Sequence, residues 1–175
     1  MSTLNDFIDE DRTLIVSMPV RVGFWMSYID DDPTSDRDDQ KEALALEKAL
    51  KMIVSKTDDA RFINDVCEFA LVNKAEWAGW ADNAGTALAD LPKALKKIED
   101  TLTAKDLKDY KSAIYRIAGV VAQAAGEFGN SNKPGLFGGL FDGLSVKTDM
   151  STPENVSATE KAALQKLLAC LKGQA

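Results

Sequence analysis

The sequence predicts an all-α fold, a single-domain bundle of about six to seven helices running over residues 1–175. Three observations carry that expectation. Apolar residues recur at i, i+3, i+4 and i+7 in one segment after another, as the face of a packed helix requires. No segment shows the apolar/polar alternation of a half-buried strand. Ser, Thr, Asp and Pro stand at the points where those periodic segments begin. At 175 residues, 45% hydrophobic and 28% charged, the chain is globular in composition and large enough to bury a substantial core.

The first helix is expected over 14–30, starting near Ser17 with Pro19 in its first turn, where a missing N–H costs nothing. Val20, Phe24 and Tyr28 take one side and Val22, Trp25, Met26 and Ile29 another, so this helix belongs at the centre of the bundle. An acidic loop follows, then a helix over about 39–55 with Leu46, Ala49, Leu50 and Ile53 on its inner face. Asp39 and Glu42 can cap its start. Residues 59–72 repeat the pattern with Ile63, Val66, Cys67 and Ala70. The segment 74–89 places Trp77 and Trp80 on one face, as core or interface anchors. Asp90 can cap a further helix with Pro92 in its first turn and Leu91, Leu95, Ile98 and Leu102 inside. Thr103 with Asp106 opens a long helix to about 128, striped by Tyr110, Ile114, Ile117, Val121 and Ala124. The last helix, 158–172, carries Leu164, Leu167, Leu168 and Leu171.

Residues 129–156 interrupt this order with Gly, Asn, Pro and Ser and read as an insertion. Phe137, Leu140, Phe141 and Leu144 keep helical spacing within it, among glycines that disfavour an isolated helix. They either dock on the chain's own bundle or form an apolar patch for a protein partner. The insertion lacks the basic cluster of a membrane-surface segment.

The net charge of −7 is unevenly distributed. Residues 1–60 hold 14 acids and 7 bases, whereas residues 61–175 hold 14 of each. That balance argues against nucleic acid as a partner, which needs a basic surface, and suits cations or a basic protein. Lys93, Lys96 and Lys97 form only a modest, solvated basic face. No apolar run reaches the ~20 residues of a membrane span, and MSTLNDFIDEDR lacks the features of a signal peptide, so a cytoplasmic protein is expected. Cys67 and Cys170 sit in apolar helical contexts, as buried thiols do.

There is no histidine. That removes the Ser-His-Asp triad, the Cys-His pair and every histidine metal ligand. Two cysteines cannot complete a four-ligand zinc site, and no phosphate-binding glycine motif is present; GLFGGLFDGL lacks both the lysine and the preceding strand. Any chemistry must therefore run on carboxylates. They are concentrated at Asp30, Asp31, Asp32, Asp36, Asp38 and Asp39, followed by Glu42. At ~5 Å and an effective dielectric of ~20, two such charges repel by about 3 kcal/mol, which a hard divalent cation would relieve. The run is not an EF-hand. Counted from Asp30, Ser35 stands where glycine is needed and Lys41 where the bidentate glutamate belongs; counted from Asp31, Pro33 occupies a ligand position. A solvated loop, a cation site and a catalytic carboxylate site all remain open.

Two stretches of the chain look alike. FWMSYIDDD…KEALALEKAL in the first half is echoed by IAGVVAQAAGEFG…SATEKAALQKLLACL in the second, each an apolar helix, an acidic turn, an acid and a leucine-rich helix. This pattern, over most of 14–172, resembles the TerB-like family of tellurite-resistance proteins. The resemblance implies a helical bundle with pseudo-twofold halves and a divalent metal site built from acids at the turns. Position by position, those acids are Asp30, Asp32 and Glu42, with Asp36 and Asp38 in the same turn, and Glu127 and Glu160 in the second half. The second turn reads Ala125-Gly126-Glu127, without an aspartate before the glycine, and Ser157 with Glu160 also forms a capping box. The resemblance implies a non-enzymatic binding protein of the stress-response or membrane-complex-associated kind. It would bind Ca²⁺, Mg²⁺ or Mn²⁺ in preference to Zn²⁺ and act through protein contacts. The alternative is a metal-free adaptor that docks a partner by its acidic N-terminal third or the 136–144 patch.

Overall fold

The structure, a computed structural model, describes residues 3–30, 36–56, 60–126 and 156–173. Among them lie seven α-helices and no strand: α1 (Asp9–Ser27), α2 (Asp36–Lys56), α3 (Arg61–Val72), α4 (Trp77–Ala81), α5 (Ala87–Thr101), α6 (Ala104–Gly126) and α7 (Ala158–Leu171). They pack as an all-α bundle. None of the described helices is long and apolar enough to cross a membrane.

Helices α1 and α6 form the centre. α1 buries Ile15, Val16, Met18, Val20, Val22 and Met26, residues that point in several directions round its axis, and it packs against α2, α3, α4, α5 and α6. α6 buries Tyr110, Ile114, Ile117, Val121 and their neighbours against α1, α2, α3, α5 and α7. The outer helices are one-sided, as their periodicity predicts. α3 buries Phe62, Ile63, Val66, Cys67 and Ala70, and α5 buries Leu91, Ala94, Leu95 and Ile98.

Two helix starts follow the sequence closely. Thr103 and Asp106 exchange backbone and side-chain hydrogen bonds at the start of α6 (both backbone bonds 3.2 Å), and Ser157 and Glu160 do the same at α7. Beyond the end of α7, Gly173 takes a φ of +71°, which suits glycine, and its N–H donates to the Cys170 carbonyl at 3.1 Å. Three other boundaries differ from expectation. α2 begins at Asp36, so Asp39 lies inside the helix and not at its cap, and Asp36, Asp38 and Asp39 join the first turn, where the macrodipole favours acids. α5 begins at Ala87 after a 3-10 turn (Ala84–Thr86), which moves Asp90 from the expected cap into the first turn of the helix.

The largest departure is α1. It starts at Asp9, with Asp9, Glu10 and Asp11 in its first turn, so Pro19 is in the helix interior. Proline has no N–H for the carbonyl four residues back, here Ile15. Tyr110 supplies the missing donor from α6: its buried hydroxyl donates to the Ile15 carbonyl at 2.8 Å. Pro92, interior to α5, repeats the arrangement. The carbonyl it leaves open is Leu88, and Cys170 Sγ of α7 lies 3.4 Å from that oxygen as its donor. In both cases a partner helix provides the hydrogen that the proline lacks.

At Gly23, α1 passes close to Leu46 of α2. A Cβ there would lie 2.7 Å from Leu46 Cδ1, and Leu46 is itself fully packed. Gly23→Val should therefore cost about 1–3 kcal/mol in denaturant unfolding, the usual penalty of overpacking. A neutral result would show that α2 can back away from α1.

Candidate functional site

The expected acidic site falls largely at the edge of the described residues. The backbone of Asp30 closes a 3-10 turn (Tyr28–Asp30) that extends α1, and this turn packs against α7. Asp32 and Glu127 lie outside the described residues, as do Phe137, Leu140, Phe141 and Leu144 of the insertion. Asp36, Asp38 and Glu42 have their backbone in the first part of α2. Glu160 is buried, and its carboxylate accepts the Ser157 N–H at 2.8 Å as the capping partner of α7. Among the described residues no three His, Cys, Asp or Glu side chains are grouped to hold a metal.

The most developed polar centre is one that the site residues expected from sequence do not include. Arg21, on the apolar helix α1, is only 6% exposed. Its guanidinium reaches across to the start of α5: Nε donates to the Asn83 carbonyl at 3.2 Å, and Nη2 donates to Thr86 Oγ1 at 2.8 Å and Asp90 Oδ2 at 2.6 Å. Thr86 in turn donates to Asp90 at 3.0 Å, and Lys93 Nζ donates to the other carboxylate oxygen at 2.8 Å. Lys93 and then Arg21 hold the Asp90 carboxyl well below the usual carboxylate range, against the opposing effect of burial. A signal for this centre was present in the chain. Arg21 is the sole charge between Thr13 and Ile29, and a charge inside so apolar a helix needs a partner.

Arg21 is among the residues that line a cleft of about 650 Å³ between the first half of α1 and α5. Leu14, Ile8 and the half-buried Trp80 give it apolar walls, and Thr13 lies on its lining. Lys97 Nζ on α5 meets Asp11 Oδ2 on α1 at 3.0 Å beside it. The expected solvated lysine face is thus engaged at each position: Lys93 with Asp90, Lys96 with Asp100 and Lys97 with Asp11.

The remaining candidates are structural. Trp77 is buried and its Nε1–H donates to the Ala70 carbonyl at 2.8 Å, so it is a core anchor. Cys67 and Cys170 are free and buried, and burial pushes the Cys67 thiol up to about 12, far from a reactive thiolate. Compared with protein families, with curated proteins and with solved structures, the chain matches none.

Proposed function

We propose that this chain is a non-enzymatic helical binding protein of the TerB-like, stress- and tellurite-resistance type. In this reading it takes a divalent cation weakly at the acidic turn between α1 and α2 and acts through protein contacts. The position of Asp30 is the observation that supports it. Asp30 closes the carbonyl end of the α1 segment, where the macrodipole disfavours an anion, and Asp31 and Asp32 follow it directly. Asp36, Asp38 and Asp39 have a helix-start explanation; Asp30, at the opposite kind of helix end, does not. A cation held by oxygen ligands would offset both the mutual repulsion and the dipole, and Ca²⁺, Mg²⁺ and Mn²⁺ suit such ligands better than Zn²⁺. The packing of the Tyr28–Asp30 turn on α7, the helix that Glu160 helps to cap, is consistent with acids of both halves contributing.

A second reading, a metal-free interaction module, draws on apolar exposure. Val72 at the end of α3 is 83% exposed, and Leu44 on α2 and Phe69 on α3 are 50% and 38% exposed. Such residues suit contact with a protein partner. A thermal melt of metal-stripped protein separates the two. A cation at ~100 times its dissociation constant adds about 2.7 kcal/mol, several degrees in a domain of this size. The expected result is a shift with Ca²⁺, Mg²⁺ or Mn²⁺ that disappears in Asp30→Asn/Asp32→Asn. No shift with any cation would sink the cation reading and leave the interaction module.

A further inference from the structure

We propose that the cleft between α1 and α5 binds a small organic monocarboxylate with an apolar body, the carboxylate on Arg21 and the body against Trp80. The inference is independent of the acidic turn.

The guanidinium carries the argument. Nε is committed to Asn83, and Nη2 to Thr86 and Asp90. Nη1 keeps two N–H groups with no acceptor among the described residues. No fully buried side-chain nitrogen or oxygen among those residues lacks a partner, so Nη1 must reach accessible surface. Arg21 is almost entirely enclosed, and it is one of the residues that line the cleft. A buried arginine with an unused pair of donors thus lies in the wall of an open cavity, and such a pair is what a carboxylate fits.

Charge and size narrow the class. Arg21 and Lys93 hold Asp90 between them, two cations and one anion, leaving one net positive charge around Arg21. A single carboxylate neutralises that local charge, and over the whole lining Arg21, Lys93 and Lys97 balance Glu10, Asp11 and Asp90. Lys97 is neutralised by Asp11, and Glu10 adds a negative charge to the lining, which disfavours dicarboxylates and phosphates. The volume, about 650 Å³, lies within the range of small-molecule sites, roughly 300–1,000 Å³. Trp80, Leu14 and Ile8 offer the apolar wall, and Ile8 is 67% exposed with nothing covering it among the described residues.

The test is a titration of ¹⁵N-labelled protein with phenylacetate, phenylacetamide and inorganic phosphate, following the Arg21 Nε–H and Trp80 Nε1–H resonances. Phenylacetate should shift both signals saturably. The amide, isosteric but uncharged, should bind about tenfold or more weakly, as loss of a charge-assisted contact implies. Thr13→Trp, at an exposed lining position, should fill the cleft and abolish the shifts while leaving the melting temperature unchanged. Arg21→Lys, which keeps the charge and loses the fork, should weaken binding as well; if it fails to fold, Thr13→Trp still decides. Equal shifts for acid and amide, tighter binding of phosphate, persistence of the shifts in Thr13→Trp, or no response to phenylacetate, benzoate or acetate would each overturn the proposal.

Discussion

Asp90→Ala is expected to destabilise the protein by about 3 kcal/mol, the lower end of the range for breaking a buried ion pair. The lower end applies because the Asp90 side chain keeps 23% of its surface in water, whereas that of Arg21 keeps only 7%. The cost comes from what remains. The Arg21 guanidinium would stay largely enclosed between α1 and α5 with its carboxylate gone, left with Thr86, the Asn83 carbonyl and the little water that its 7% exposure admits. For a domain of this size that is a fall of roughly 6–12 °C in melting temperature. Arg21→Met/Asp90→Leu should recover most of it, since replacing both partners by apolar groups leaves no buried charge. The pH dependence follows from the direction of the shift. Asp90 is held below its ordinary 3.8, so the unfolded chain takes up the proton first as pH falls. The pair's contribution is complete above about pH 4 and is lost progressively below it, and the wild type and Asp90→Ala should converge in stability under acid. Equal stability of the two proteins at neutral pH would mean that water, not Asp90, solvates Arg21.

Tyr110→Phe should cost about 1–3 kcal/mol, because it leaves the Ile15 carbonyl inside the core with no donor. The decisive comparison is with Pro19→Ala, which restores an N–H at position 19. In that background the carbonyl regains its helical partner, and loss of the Tyr110 hydroxyl should be tolerated. Denaturant unfolding of the four proteins of this cycle should give a coupling of about 1 kcal/mol or more. Additive effects would show that the hydroxyl is not a substitute for the missing proline donor. Cys170 and Pro92 pose the same question more weakly, since a thiol is the poorer donor.

These two sites also mark where sequence reading stops. The starts of α6 and α7 were legible because Thr103 with Asp106 and Ser157 with Glu160 complete their bonds within a few residues. The apolar stripes of α3, α5 and α6 were legible because burial imposes its period on the local sequence. Pro19 was misplaced for the opposite reason. A proline suggests a helix start, and the hydroxyl that permits it in the interior belongs to Tyr110, 95 residues beyond the Ile15 carbonyl it serves. Arg21 is similar: its carboxylate partner is 69 residues distant, so only the isolation of the charge was visible. Asp90 read as a cap because caps draw on local partners, but α5 begins earlier and its carboxylate turns to α1. The acidic run divides along the same line. Asp36, Asp38 and Asp39 belong to the start of α2, whereas Asp30 stands at the other kind of helix end.

Manganese provides the most direct measurement of the functional reading. Substoichiometric Mn²⁺ added to ¹⁵N-labelled protein broadens amide signals close to where it binds. The account predicts selective loss of Tyr28, Ile29 and Asp30 with the first turn of α2, sparing of the α1–α5 cleft, and no effect in Asp30→Asn/Asp32→Asn. Broadening centred elsewhere, spread evenly over the surface, or unchanged in the double variant would contradict it.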